Sequence, residues 1–122
     1  MGQPVVYFEV VAKDPRRIRS YFSALFGWEI DAGDNELNYS MVERDTNKDG
    51  VGIAGGIGAA QGGYDGHATF YVQVDDVEAA LARAEELGGR RLMGPRAIPG
   101  GGTVIGYLAD PEGHVIGVSN MA

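Results

Sequence analysis

Cysteine is absent from the chain, and basic residues are scarce. Without cysteine there is no disulfide, no thiolate nucleophile and no thiolate metal ligand. Lysine occurs only at Lys13 and Lys48, and a formal net charge of −7 lacks the basic footprint that nucleic acid phosphates require. No apolar run is long enough to cross a bilayer, and the opening residues lack the pattern of a secretory signal. We therefore expect a cytoplasmic protein that binds neither nucleic acid nor membranes.

An internal repeat is the most informative feature that is present. Residues 7–27 and 69–89 align at an offset of 62 positions, so that Phe8 matches Phe70, Asp14 matches Asp76 and Gly27 matches Gly89. Each copy reads as an alternating strand, an acidic cap, an amphipathic helix and a closing glycine. Two such copies in 122 residues predict one domain with a duplicated fold and a cleft between or around its halves.

The first copy predicts a module over about residues 4–58. Its first strand, Val5–Ala12, places Tyr7 and Glu9 on the face opposite Phe8. Asp14 and Pro15 signal the start of a helix, and Gly27 signals its end. Three more strands are predicted at Trp28–Ile30, Leu37–Val42 and Val51–Ile57. A Gly/Ala-rich linker follows, over about residues 59–66.

The second copy predicts a matching module over about residues 67–120. Its first strand is His67–Val74, its helix is capped by Asp75 or Asp76, and Gly88–Gly89 closes the helix. The remaining strands are predicted at Arg91–Met93, Thr103–Leu108 and His114–Ser119, with a loop over Gly94–Gly102 and a turn over Asp110–Gly113. Each module is therefore βαβββ, in an α+β fold whose polar and aromatic inward faces favour a curved sheet around a pocket.

Four segments resemble the vicinal-oxygen-chelate superfamily of glyoxalases, bleomycin-resistance proteins and extradiol dioxygenases. They are VVYFEVVAKDPRRIRSYFSALFGWEI, VQVDDVEAALARAEELGG, MGPRAIPGGG and YLADPEGHVIGV. The resemblance covers nearly the whole chain. It implies two tandem βαβββ modules that form a cupped, eight-stranded mixed sheet with the helices outside, and a homodimer.

The resemblance also implies four positions for metal ligands. Relatives that bind a metal carry His or Glu there, whereas this chain carries Tyr7, the segment Ala54–Gly56, Thr69 and Gly117. These residues cannot supply the three or four donors that a divalent ion needs. We therefore predict no metal and no other cofactor. His67 lies two residues before Thr69, on the same face, and would become a ligand only if the strand register differed by two.

Polar residues on the inward faces are the candidate site. Glu9 beside Tyr7 could act as a general base, or Glu9 could simply pair with an arginine or with backbone N–H groups. His67 is a third candidate for proton transfer, or an exposed residue at the start of a strand. The predicted ligand-binding residues are Tyr7, Glu9, Tyr39, His67, Thr69, Tyr71, Gln73 and Tyr107. The alternative for the strand His67 to Gln73 is a half-wet face or a dimer contact.

Two further motifs are interpreted as turns. His114 lies in the DPEGHV turn, where a role in the turn is favoured over chemistry. Asp45–Gly50 spells the opening of a calcium loop, but Gly56 stands where the loop needs a glutamate, so a hairpin turn is favoured.

Three functions remain open. The first is a metal-independent, bleomycin-resistance-like protein that binds a small apolar or aromatic molecule. The second is a metal-independent isomerase, cyclase or lyase that uses Glu9, Tyr7 or His67 to move a proton. The third, a metal-dependent glyoxalase or dioxygenase, ranks last because all four ligand positions are substituted.

Overall fold

The computed structural model describes residues 2–121. Within them lie seven strands and two helices: β1 (Val5–Ala12), α1 (Pro15–Phe26), β2 (Ser40–Val42), β3 (Ala54–Ala59), β4 (His67–Gln73), α2 (Val77–Glu86), β5 (Arg90–Ala97), β6 (Val104–Ala109) and β7 (Val115–Ser119). The α+β class is confirmed, whereas the eighth strand is not found in this range. None of the helices in the described range is long and apolar enough to cross a membrane.

The described chain divides into two compact units. The N-unit is Tyr7–Ala68. The C-unit combines the described residues before Tyr7 with those from Thr69 to the end of the described range.

In the N-unit, β3 pairs with two strands. It runs parallel to β1, with Tyr7 opposite Ala54 and Glu9 opposite Gly56, and antiparallel to β2. Strand β3 begins later than expected and continues to Ala59. Tyr7 and Glu9 lie on the face of β1 opposite Phe8, and they are the most buried residues of the strand, at 7% and 2% exposure.

The predicted strand Trp28–Ile30 is reduced to one bridge between Ile30 and Val42. In the segment that follows, side-chain oxygens accept backbone N–H groups. Asp31 accepts the backbone N–H groups of Gly33 and Met41, and Asn35 accepts those of Leu37 and Tyr39. Side chains of this type compete with strand hydrogen bonds, which also explains why β2 is only three residues long.

Helix α1 has the predicted ends. Asp14 accepts the N–H of Arg17 at 3.1 Å, Pro15 occupies the first turn, and Gly27 closes the helix with φ of 72°. Trp28 then packs among the rings of Phe8, Phe22 and Phe26 at centroid distances of 5.1–5.3 Å. This aromatic packing, together with backbone hydrogen bonds from Asp31 to Met41 and from Glu43 to Glu29, holds the residues that follow the helix.

In the C-unit the strand order is β4, β7, β6, β5, with β4 and β7 parallel and the other pairs antiparallel. Asp76, one of the two expected caps, accepts the N–H of Ala79 at 3.1 Å. Helix α2 buries Val77 and Leu81 against Val74 and Val118, which form the core of this unit.

Two boundaries in the C-unit differ from the prediction. Strand β5 runs through Ala97 with two register shifts, so the first four residues of the expected loop over Gly94–Gly102 belong to it. Helix α2 ends at Glu86, just before the expected glycine pair. The predicted turn over Asp110–Gly113 is confirmed by a 2.8 Å bond from the Gly113 N–H to the Asp110 carbonyl.

Candidate functional site

Five side chains of the N-unit form one continuous chain of polar contacts. In order, they are Tyr64, His67, Glu9, Tyr39 and Tyr7. The series begins at Tyr64, which is 42% exposed, and ends at Tyr7, which is buried. Polar groups on four separate segments of the N-unit are thus connected from the surface to the interior.

His67 occupies the centre of this chain of polar contacts. Its Nδ1 lies 2.6 Å from the Tyr64 hydroxyl oxygen, and its Nε2 lies 2.9 Å from Glu9 Oε1. The side chains of His67 and Glu9 are only 10% and 3% exposed. The imidazole and the carboxylate therefore share a hydrogen bond that is largely shielded from solvent.

When Glu9 is ionised, the donors and acceptors of the three side chains allow one arrangement of the protons among them. An ionised Glu9 can only accept, so His67 donates through Nε2–H, and Nδ1 is then free to accept the Tyr64 O–H. Tyr39 donates its O–H to the second carboxylate oxygen, Oε2, at 2.8 Å. In this arrangement the lone pair on His67 Nδ1 faces Tyr64, the exposed end of the chain of polar contacts.

The two inner phenols hold their protons firmly. Burial raises the pKa of Tyr7 to about 12, and the neighbouring charge of Glu9 acts in the same direction. Burial first, and then the charge of Glu9, raises the pKa of Tyr39 far above its usual range. Both phenols are therefore neutral at ordinary pH, and Tyr39 is the one that donates to the Glu9 carboxylate. Burial and the Glu9 charge also raise the pKa of Tyr64.

Glycines bring these side chains together. Gly56 lies opposite Glu9 in β3, and the Tyr39 ring occupies the space that a side chain at Gly56 would need. Gly66, at φ of 102°, passes so close to the Val11 carbonyl that a Cβ would collide with it. The first of these approaches lets Tyr39 reach Glu9, and the second directs the chain into β4 with His67 at its first position.

The residues present do not fit the metal that the resemblance would imply. Within residues 2–121 no group of three or more His, Asp or Glu side chains could hold an ion. Gly56, in the segment where a glutamate ligand was expected, is covered by the Tyr39 ring. A Cβ at Gly117 would lie 2.7 Å from the Tyr71 ring. Tyrosine rings thus occupy the space that a glutamate ligand would need at both positions.

The C-unit holds the remaining predicted ligand-binding residues. Tyr71 donates its O–H to the Tyr107 hydroxyl at 2.8 Å, with the ring centroids 5.8 Å apart. Thr69 is engaged differently, since its hydroxyl donates to the Val115 carbonyl at 2.5 Å and so serves the backbone. Gln73 is half-buried, and its backbone N–H donates to the Pro4 carbonyl.

The structure therefore groups Tyr7, Glu9, Tyr39 and His67 in the N-unit and Tyr71 with Tyr107 in the C-unit. The sequence did not predict that Tyr64 contacts His67. The only available signal was an aromatic residue three positions before His67, across a glycine. The partners of the Glu9 carboxylate include His67 and Tyr39.

Both motifs interpreted as turns have turn contacts. His114 Nδ1 lies 2.9 Å from Asp110 Oδ2, and hydrogen bonds from His114 lower the pKa of that carboxyl. In the Asp45–Gly50 segment, Asn47 Oδ1 accepts the N–H groups of Asp49 and Val51, as a hairpin turn requires.

Comparison with known proteins places this architecture in a family. No curated protein matches significantly. Among solved structures, a methylmalonyl-CoA epimerase variant (Q60A) from Streptomyces coelicolor, in complex with 2-nitronate-propionyl-CoA, is 16% identical with a TM-score of 0.63 and covers 96% of each chain. A glyoxalase/bleomycin resistance protein/dioxygenase superfamily member from Vibrio splendidus 12B01 is 15% identical, with a TM-score of 0.64, over 97% of this chain and 98% of that one.

A methylmalonyl-CoA epimerase from Mycobacterium tuberculosis is 12% identical with a TM-score of 0.62, over 97% of this chain and 87% of that one. At these identities the likeness shows the fold. The sequence profile of the glyoxalase-like domain matches residues 6–119, nearly the whole chain. This chain therefore belongs to the glyoxalase-like domain family.

Proposed function

We propose that this protein is a metal-independent enzyme of the isomerase or lyase class that moves a proton on a small organic substrate. The observation that carries the proposal is the position of His67, whose two ring nitrogens contact Glu9 on one side and Tyr64 on the other. A buried carboxylate, an imidazole and a partly exposed phenol in series form a general-base system with its orienting group in place.

The chemistry follows from the hydrogen bonds. Tyr64 Oη accepts a proton from an acidic C–H of the substrate as its own proton passes to His67 Nδ1. The imidazolium that forms is stabilised by the Glu9 carboxylate 2.9 Å from Nε2. The proton then returns by the same route, to the same carbon or to another one. The substrate neither gains nor loses electrons overall, so no redox partner is required.

The fold neighbours are compatible with this class. Two of the similar structures are named as methylmalonyl-CoA epimerases, and one holds a CoA ester analogue. Inverting a carbon beside a carbonyl by removing and returning a proton is an isomerase reaction. We therefore propose a carbonyl compound with an acidic neighbouring C–H as the substrate class, and we keep a cytoplasmic location as a proposal.

The test is exchange of substrate protons with solvent. The protein, with chelator present, is incubated in D2O with a panel of oxo acids, hydroxy ketones and acyl thioesters, and deuterium uptake is followed by NMR. For a substrate that exchanges, Glu9→Gln and His67→Asn are each expected to lower the rate about 100-fold or more. His114→Asn is the matched control, because His114 is the other histidine and is placed in a turn.

Full exchange by the Glu9→Gln variant would show that Glu9 is not part of the base system. No exchange with any member of the panel would contradict the proposal that the protein is an enzyme.

The second candidate function is a binding protein without turnover. This candidate is favoured by the aromatic pair of buried Tyr71 and half-buried Tyr107, whose hydroxyl groups are joined by a hydrogen bond, because aromatic rings with a few polar groups are typical of the lining of ligand sites. Tight binding of a panel member without exchange would support this candidate instead.

A further inference from the structure

Met41 extends the chain of polar contacts beyond Tyr7 and brings it back to the surface of the N-unit. The Tyr7 hydroxyl donates to Met41 Sδ at 3.5 Å. Met41 nevertheless leaves 48% of its surface in contact with solvent, whereas Met93 and Met121 are half-buried. An exposed thioether is the kind of methionine that oxidants reach first, and this one contacts a buried phenol of the candidate site.

The backbone around Met41 holds it in this position. Its N–H donates to Asp31 Oδ2 at 3.0 Å, and its carbonyl accepts the Asp31 N–H at 3.2 Å. Met41 lies opposite Gly56 in β3, and Gly56 lies opposite Glu9 in β1. Residues in one row across paired strands share a face of the sheet, so the side chains of Met41 and Glu9 lie on the same face.

Tyr39 and Met41 compete for the hydrogen of the Tyr7 hydroxyl. Tyr39 donates its own hydrogen to Glu9 Oε2 at 2.8 Å, so in its 3.2 Å contact with Tyr7 the Tyr39 oxygen accepts. Burial raises the pKa of Tyr7 to about 12, so this phenol keeps its hydrogen at ordinary pH. Of the two acceptors, the Met41 sulfur is the weaker one.

We propose that Met41 is a site of oxidation by hydroperoxides, and that its sulfoxide rearranges the hydrogen bonds of Tyr7 and Tyr39. With hydrogen peroxide, a lone pair of Met41 Sδ forms the S–O bond as the O–O bond of the peroxide breaks. The sulfur loses two electrons and the peroxide gains them. The departing hydroxide takes the proton of the transferred oxygen and leaves as water.

The distance between Met41 Sδ and the Tyr7 hydroxyl suits a sulfoxide. A sulfoxide oxygen that accepts from Tyr7 at about 2.7 Å leaves the sulfur near its present 3.5 Å from the hydroxyl, because the angle at the accepting oxygen is bent. This oxygen is a stronger acceptor than a thioether, so it takes the Tyr7 hydrogen away from Tyr39. Without that bond Tyr39 donates more weakly to Glu9, and Glu9 then accepts more strongly from His67 Nε2–H.

Peptide mass mapping and nitrogen-15 NMR on the same samples test this inference. Hydrogen peroxide is added stepwise to the complete chain. We expect Met41 to be oxidised before Met93 and Met121. The Nε2 signal of His67 should shift in proportion to the Met41 sulfoxide, with the His114 signals as the internal reference. A mixture of the two epimer-specific methionine sulfoxide reductases should restore the original signal. The readout needs no substrate, so it does not depend on whether the protein is an enzyme.

Two substitutions of Met41 form a matched pair. In Met41→Gln the side-chain carbonyl oxygen takes the place of the sulfoxide oxygen, so the untreated variant should show the His67 shift of the oxidised wild-type protein. Met41→Leu offers Tyr7 no acceptor and should show no shift when peroxide is added. Because Met41 is 48% exposed, neither substitution disturbs a fully buried position.

The Tyr7→Phe variant separates the oxidation from its consequence. Met41 should still be oxidised in this variant, but the His67 signal should no longer follow the sulfoxide. An unchanged His67 signal in wild-type protein with fully oxidised Met41 would overturn the proposal. Oxidation of Met93 and Met121 ahead of Met41, or an equal shift in Tyr7→Phe, would overturn it as well.

Discussion

Tyr39 covers Gly56, and its hydroxyl donates to the Glu9 carboxylate that lies beside Gly56 on the neighbouring strand. A Cβ on Gly56 would overlap the hydroxyl oxygen and ring carbons of Tyr39. The missing side chain and the phenol are therefore two parts of one arrangement. Where a glutamate ligand was expected in related proteins, this chain has an aromatic ring that orients a different carboxylate.

Gly56→Ala is expected to destabilise the protein by about 1–3 kcal/mol, because the new methyl group must displace a ring held in a packed strand pair. Chemical denaturation measures the loss. Gly101→Ala is the control, since no atom lies within 4 Å of its Cβ position and its φ is not in the left-handed region. Equal stability of the two variants would show that Tyr39 moves aside without cost.

Tyr39→Phe keeps the ring over Gly56 and removes only the donor to Glu9 Oε2. We expect a loss of about 1–3 kcal/mol in the free energy of unfolding, because a buried charged acceptor then lacks that hydrogen bond. Tyr21→Phe removes a hydroxyl from a residue that is 58% exposed and should change the stability little. If the two variants lose the same stability, the Tyr39–Glu9 bond contributes nothing measurable.

Alkaline pH should destabilise the protein through its buried phenols. Burial raises the pKa of Tyr7 from 10.0 to about 12, so the folded state keeps a proton that the unfolded state releases. The contribution of Tyr7 is therefore complete below pH 10 and is lost as the pH rises through 12. Urea unfolding across this range should show a decline that is smaller in Tyr7→Phe. A decline of unchanged size would mean that Tyr7 titrates normally.

Local signals predicted the helices well. Asp14, Pro15 and Gly27 specify the ends of α1 by short-range bonds that involve only neighbouring residues. The strand at Trp28–Ile30 was wrong because Trp28 packs against aromatic rings and Asp31, just after it, forms an Asx turn, and alternation of apolar residues reveals neither. The length of β5 was underestimated because the glycine and proline in it suggested a loop.

The candidate site was predictable only in part. Alternation along β1 and β4 placed Tyr7, Glu9 and His67 on the polar faces, since side-chain direction in a strand follows from position. The partnership of Glu9 with His67 depends on tertiary packing across 58 positions of sequence. Tyr64 lies outside any strand, so no periodic pattern could assign its direction toward His67.

His67 is held between Glu9 and Tyr64, in the arrangement that leaves the lone pair of its imidazole on Nδ1. Nitrogen-15 NMR of the imidazole rings tests it most directly, because the chain has only two histidines and His114 serves as the internal reference. We predict that neutral His67 is the Nε2–H tautomer, and that Tyr64→Phe shifts the Nδ1 signal while Glu9→Gln shifts Nε2. A neutral Nδ1–H tautomer, or His67 signals unchanged by both substitutions, would contradict the account.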